Sequence, residues 1–140
     1  MNTDPLRAYR QTRVKTATQG RLIVMLYDEG LKQLKTAENE FHSSQPKLEL
    51  VHNAIVKAQD IITELMVSLD FEKGGDIAQN LFHLYMYFNQ KLVDANLSKD
   101  VSNLHEVFKL MSDLRDAWVE IENTVTRPDH QVTGGINLAG

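Results

Sequence analysis

Leu81-Phe82-His83-Leu84-Tyr85-Met86-Tyr87-Phe88 lies near the middle of a 140-residue chain, and seven of its eight residues are apolar or aromatic. Flanked by helix-forming sequence, the run places greasy side chains around nearly the whole circumference of a helix, at about 100° per residue. A surface helix of a small domain needs only one apolar stripe. The rest must meet either a crowded core or a partner. Two readings follow: a central helix with several neighbours, or a domain that keeps an apolar groove for another protein.

Working outward, the same helical period recurs in three further segments, and no strand pattern competes. Ile23, Leu26, Tyr27, Gly30, Leu34, Ala37 and Phe41 share one face of a helix over Gln19–Phe41, with Thr18 as its N-cap. His42-Ser43-Ser44-Gln45 breaks it, and Pro46 suits the opening turn of a second helix reaching about Leu69 through Val51, Ile55, Ala58, Ile62 and Leu65. The glycine pair Gly74-Gly75 predicts a stop. Asp76 with Gln79 three residues on resembles a capping box that starts the third helix, which ends near Asn96. After the turn Ser98-Lys99-Asp100, a fourth helix carries Leu104, Val107, Phe108, Met111, Leu114, Trp118 and Ile121.

Helices of about 30–36 Å joined by short loops run antiparallel to their neighbours. The expected fold is all-α: an elongated antiparallel four-helix bundle over residues 18–122, preceded by an N-terminal arm (1–17) and followed by a flexible tail (123–140) containing Pro128, Gly134, Gly135 and Gly140. Tyr27, Tyr85 and Trp118 are expected in the core, with the tyrosine hydroxyls reaching the bundle edge.

Composition narrows the function. With 42% hydrophobic residues the chain can bury one core. No stretch approaches the roughly 18–20 apolar residues of a membrane span, and Met1-Asn2-Thr3-Asp4-Pro5 lacks a signal-peptide core, which predicts a cytoplasmic protein without membrane insertion. There is no cysteine, hence no disulfide or thiolate chemistry. The net charge of −4 is unevenly spread: Arg7, Arg10, Arg13, Lys15 and Arg21 against Asp4 give residues 1–21 a charge of +4, leaving −8 on the rest. An acidic body with an arm poor in aromatics argues against nucleic-acid binding.

Catalytic signatures are missing. A di-iron bundle needs two Glu-x-x-His pairs; the chain has Glu49-Leu50-Val51-His52 alone. Neither His83 nor His105 has the lysine and glycine that follow a phosphotransfer histidine, and no phosphate-cradling glycine loop occurs. The reading is a protein that is not an enzyme, with no catalytic residue, cofactor or metal.

Several local sequences together resemble one family. Leu6-Arg7-Ala8-Tyr9-Arg10-Gln11, Val14-Lys15-Thr16-Ala17-Thr18 and Leu22-Ile23-Val24-Met25-Leu26-Tyr27-Asp28 look like the opening of FliS-type flagellin export chaperones. Lys57–Leu65, Ser68–Gly75, Asn80-Leu81, Leu84-Tyr85, Tyr87, Ala95-Asn96 and Leu114–Trp118 continue the likeness in order, over about residues 6–120. Met86 departs from it, standing where the family's Leu-Tyr-x-Tyr usually has an acid.

The resemblance implies a cytosolic bundle, monomeric or weakly dimeric, that binds the disordered C-terminal segment of flagellin. It would prevent premature polymerisation and help deliver the subunit to a component of the flagellar export gate. It implies further that the arm can lie on the bundle, with Leu6, Tyr9, Gln11 and Val14 binding flagellin or plugging the groove. Candidate groove residues are Leu22, Met25, Ile55, Ile62, Phe82 and Met86. The alternative from another class is a helical signalling adaptor for a different assembly.

Overall fold

The computed structural model describes residues 18–126, which form four α-helices and no strand. These are α1 (Gln19–Phe41), α2 (Leu48–Val67), α3 (Phe71–Ser98) and α4 (Val101–Thr126). α1 packs on α2 and α4, and α3 packs on the same two, so the helices form a ring in chain order. The α1–α4 contacts descend one helix as they climb the other: Arg21 with Glu122, Asp28 with Arg115 and Glu38 with His105. That order makes the pair antiparallel, as the short connections require.

Local chemistry sets the ends. The Thr18 hydroxyl accepts from the Arg21 amide at 3.1 Å, so the predicted N-cap of α1 forms. α2 starts at Leu48, two residues beyond Pro46, and its N-cap Lys47 makes no side-chain cap bond. The Lys47 amide donates instead to the Glu40 carboxylate at the end of α1, 2.8 Å away. At the other end of α3, Lys99 turns the chain with φ 55° and donates its amide to the Ala95 carbonyl.

α3 departs from expectation at its start. The Asp70 carboxylate accepts from the amides of Glu72 and Lys73 at 3.0 and 3.1 Å, so Asp70 rather than Asp76 is the first cap, and a helical turn forms over Phe71–Gly74. The stop at the glycine pair lasts one residue. Gly75 has φ 52° and ψ −127°, a conformation essentially reserved for glycine, and the helix resumes at Asp76 beyond this kink. Gly74 serves close packing, since a Cβ there would stand 2.8 Å from the Ala78 Cβ. α4 also outruns residue 122 and reaches Thr126. Adding residues to an existing helix is easy, and nothing before Pro128 opposes it.

The core fills the centre of the ring. Val24, Tyr27 and Leu34 of α1, Val51, Ile55, Ala58, Ile62 and Leu65 of α2, Tyr85, Phe88 and Leu92 of α3, and Leu104, Val107 and Met111 of α4 are fully buried or nearly so. Each large aliphatic or aromatic among them contributes about 1.5–3 kcal/mol through lost apolar exposure. α1 makes the most extensive contacts with its two neighbours. α3, with less extensive contacts to its two neighbours, lies on the opposite side of the ring.

Three rings tie the layers together. The Tyr27 and Tyr85 hydroxyls are 2.6 Å apart inside the core, and the Trp118 indole hydrogen-bonds Tyr27. Because an indole only donates, its proton occupies an acceptor site on Tyr27, leaving the two hydroxyls to share the next bond. Burial first, and then the neighbouring phenol, drives the Tyr27 pKa far above its usual value; burial pushes Tyr85 up to about 12. The predicted core placement of all three holds, but the tyrosine hydroxyls meet inside rather than at the bundle edge.

Candidate functional site

α3 carries more apolar surface than the core accommodates. Its buried side is Ala78, Leu81, Tyr85, Phe88, Leu92 and Ala95. Offset from it by roughly a third of a turn runs a second line, Phe82, Met86, Asn89, Val93 and Leu97, with the i, i+4, i+7, i+11, i+15 spacing of one helical face. Met86 is 49% exposed, Val93 39% and Leu97 82%, values usual for a polar face and unusual for these side chains. Phe82 is half-buried and stacks edge-on against Phe71 at 5.9 Å between ring centres.

Two sets of contacts locate this stripe on the α2 flank of α3. Asn96, beside it on the helical wheel, hydrogen-bonds His52 of α2 at 2.8 Å. On the opposite flank Tyr87 donates to the Glu106 carboxylate of α4, and Lys91 pairs with the same carboxylate at 3.5 Å. The Tyr87 bond holds Glu106 below its ordinary carboxylate range, and Glu106 in turn raises Tyr87. The α3–α4 seam is thus closed by polar contacts, while the α2–α3 side presents the uncovered apolar line.

The predicted groove residues divide among three places. Phe82 and Met86 lie in the stripe. Ile55 and Ile62 belong to α2 and are fully buried in the shared core. Leu22 and Met25 are half-buried on α1, which lies across the ring from α3. Leu6, Tyr9, Gln11 and Val14, and the tail beyond Thr126, lie outside the described residues.

Sequence reasoning missed Val93 and Leu97, which continue the Phe82–Met86 line; extending the helical wheel past Phe88 finds both. It also missed Asn89. The Asn89 Oδ1 is buried and has no hydrogen-bond partner in the structure.

The arrangement suits holding a helix. Among the described residues no three His, Asp or Glu side chains gather in a metal-holding cluster, and no helix is long and apolar enough to cross a membrane. Of the histidines singled out above, His52 bonds Asn96 and His105 faces Glu38 at 3.5 Å.

Among the described residues the all-α bundle leaves an apolar line along α3 uncovered, a face whose spacing matches that of an amphipathic helix. Comparison with known proteins gives the family. A sequence profile described as "Flagellar protein FliS" matches residues 2–125. The flagellar secretion chaperone FliS of Bacillus subtilis is 34% identical over 133 residues, covering 95% of this chain and 96% of that protein. FliS of Escherichia coli is 38% identical over 111 residues, 79% of this chain and 80% of its own length. The flagellar secretion chaperone FliSB of Pseudomonas aeruginosa is 38% identical over 109 residues, 77% and 84% of the two chains. The chain belongs to the FliS family of flagellar proteins.

Proposed function

We propose that this protein is a flagellar secretion chaperone, not an enzyme, whose cargo is flagellin. It binds the C-terminal segment of flagellin in the cytoplasm, keeps it from polymerising and helps bring it to the export gate. The observation that carries the reading is the α3 stripe Phe82–Met86–Val93–Leu97, exposed on a member of a family whose relatives are named secretion chaperones. A disordered segment that folds on a partner pays its ordering entropy at that moment and needs extensive apolar contact in return. A stripe four turns long provides such contact for one amphipathic helix. Leu22 and Met25 on α1 serve a second part of an extended cargo that wraps the bundle.

The arm has a regulatory role in this reading. Residues 1–17 carry a charge of +3 against −7 on the rest of the chain, and in this reading Leu6, Tyr9, Gln11 and Val14 bind flagellin or compete with it for the groove. The free protein is a monomer or a weak homodimer.

Calorimetric titration with the C-terminal segment of the flagellin from the same bacterium tests the reading. A one-to-one complex with a strongly negative heat-capacity change is expected. No heat at tens of micromolar, with the protein shown to be folded and the arm removed, would rule flagellin out as the cargo.

A further inference from the structure

The α3 stripe is apolar except at its centre, where Asn89 stands between Met86 and Val93. A buried amide oxygen left without a donor is unfavourable, and native structures contain few of them. The surroundings show what would ordinarily satisfy it. One heptad further along α3, Asn96 is bonded to His52 of α2. The residue one heptad after His52 is Gln59, so Gln59 stands to Asn89 as His52 stands to Asn96. The second rung of this polar ladder is nevertheless unmade: Asn89 Oδ1 receives nothing.

The outer edges of the stripe share a charge. Glu49 and Asp60 on α2 and Asp76 and Asp94 on α3 fall in the exposed rows bordering it on the helical wheel, with no lysine or arginine among those rows. The site is therefore an apolar line with one under-bonded amide in its middle and acidic rims.

We propose that Asn89 is a specificity-determining position of this face, selecting a helix that combines basic flanks with one hydrogen-bonding side chain (amide or hydroxyl) inside its apolar stripe. The proposal rests on the reading of this face as the flagellin-binding site and adds which kind of helix it accepts. In the free protein the Asn89 amide is under-bonded. In the complex, a rotation of that amide lets it exchange hydrogen bonds with the bound helix's polar side chain while apolar residues on either side cover Phe82, Met86 and Val93. A wholly apolar helix would leave the amide buried and unpaired, so it is rejected. The acidic rims fix which way the helix is rolled and make binding weaken with salt.

Asn89→Leu and Asp94→Lys test this, with the full-length chain titrated by the flagellin C-terminal segment at two salt concentrations. Asn89→Leu should melt above the wild type, because an unpaired buried amide is replaced by an apolar group, yet bind about ten-fold more weakly. Asp94→Lys lies on the exposed rim and should fold normally, bind several-fold more weakly at low salt and lose part of the salt dependence. Wild-type affinity in both variants overturns the proposal and leaves the chaperone reading standing. Failure of the wild-type protein itself to bind the segment overturns both.

Discussion

The Tyr27 and Tyr85 hydroxyls meet at 2.6 Å in the middle of the bundle, joining α1 to the helix whose outer face carries the exposed apolar line. With the Trp118 indole donating to Tyr27, α1, α3 and α4 share one buried polar chain inside an otherwise apolar core. Such a chain fixes the rotation of α3 about its axis, and that rotation decides which α3 residues point outward. The functional face is thus set from inside.

Tyr27→Phe removes the middle of this chain and leaves the Trp118 N–H and the Tyr85 hydroxyl buried without their partner. The expected loss is about 2–4 kcal/mol of folding stability, since each unsatisfied buried group costs about 1–3 kcal/mol. Tyr85→Phe should cost less, because Tyr27 keeps Trp118, and the double variant should fall short of the sum. Urea denaturation of the three variants measures all of this.

Alkaline titration reports the same pair. Both folded-state values are raised, Tyr85 to about 12 and Tyr27 further, above the ordinary phenol value of about 10. The native state therefore keeps protons that the unfolded chain releases. The stabilisation is complete below about pH 10 and is lost as pH rises through the folded values. Tyrosinate absorbance should show these two phenols ionising late and together with loss of helical circular dichroism, rather than near pH 10.

Gly75→Ala should destabilise by about 1–3 kcal/mol through backbone strain alone, because open space surrounds the position and only its φ of 52° resists a side chain. Thermal melting measures the loss. A neutral result would mean that the kink between Gly74 and Asp76 relaxes without cost.

Core and binding face separate by paired substitutions. Ile62→Ala empties a fully buried site and should lose about 2–5 kcal/mol of stability. Met86→Glu, half-exposed, should leave the melting temperature within a few degrees and reduce cargo affinity at least ten-fold, read by calorimetry. Equal stability losses would show that Met86 belongs to the core instead.

Much of this was legible beforehand for a physical reason: periodicity and caps are local. Thr18 and the apolar face from Ile23 to Phe41 define α1 from sequence alone, and the bulk of Tyr27, Tyr85 and Trp118 placed them inside. The start of α3 was not legible. Asp70 and Asp76 both have cap chemistry, and the glycine pair hides a single kink that only the backbone angles reveal. The site was half legible. Phe82 and Met86 stood out because the opening run surrounds its helix with apolar side chains. Ile55 and Ile62 have the same composition signal as a groove, and only three-dimensional burial assigns them to the core. Asn89 reads as an ordinary surface amide until its oxygen is found buried without a donor.

The most direct test of where cargo binds uses the methyl resonances of Met25, Met66, Met86 and Met111 during titration with the flagellin C-terminal segment. Met86 lies in the α3 stripe, Met25 on α1, and Met111 is fully buried. The account predicts that Met86 shifts most at one-to-one stoichiometry and Met111 hardly moves. A Met86 resonance that stays put while Met25 or Met111 shifts would contradict it and move the binding site away from the α2–α3 face.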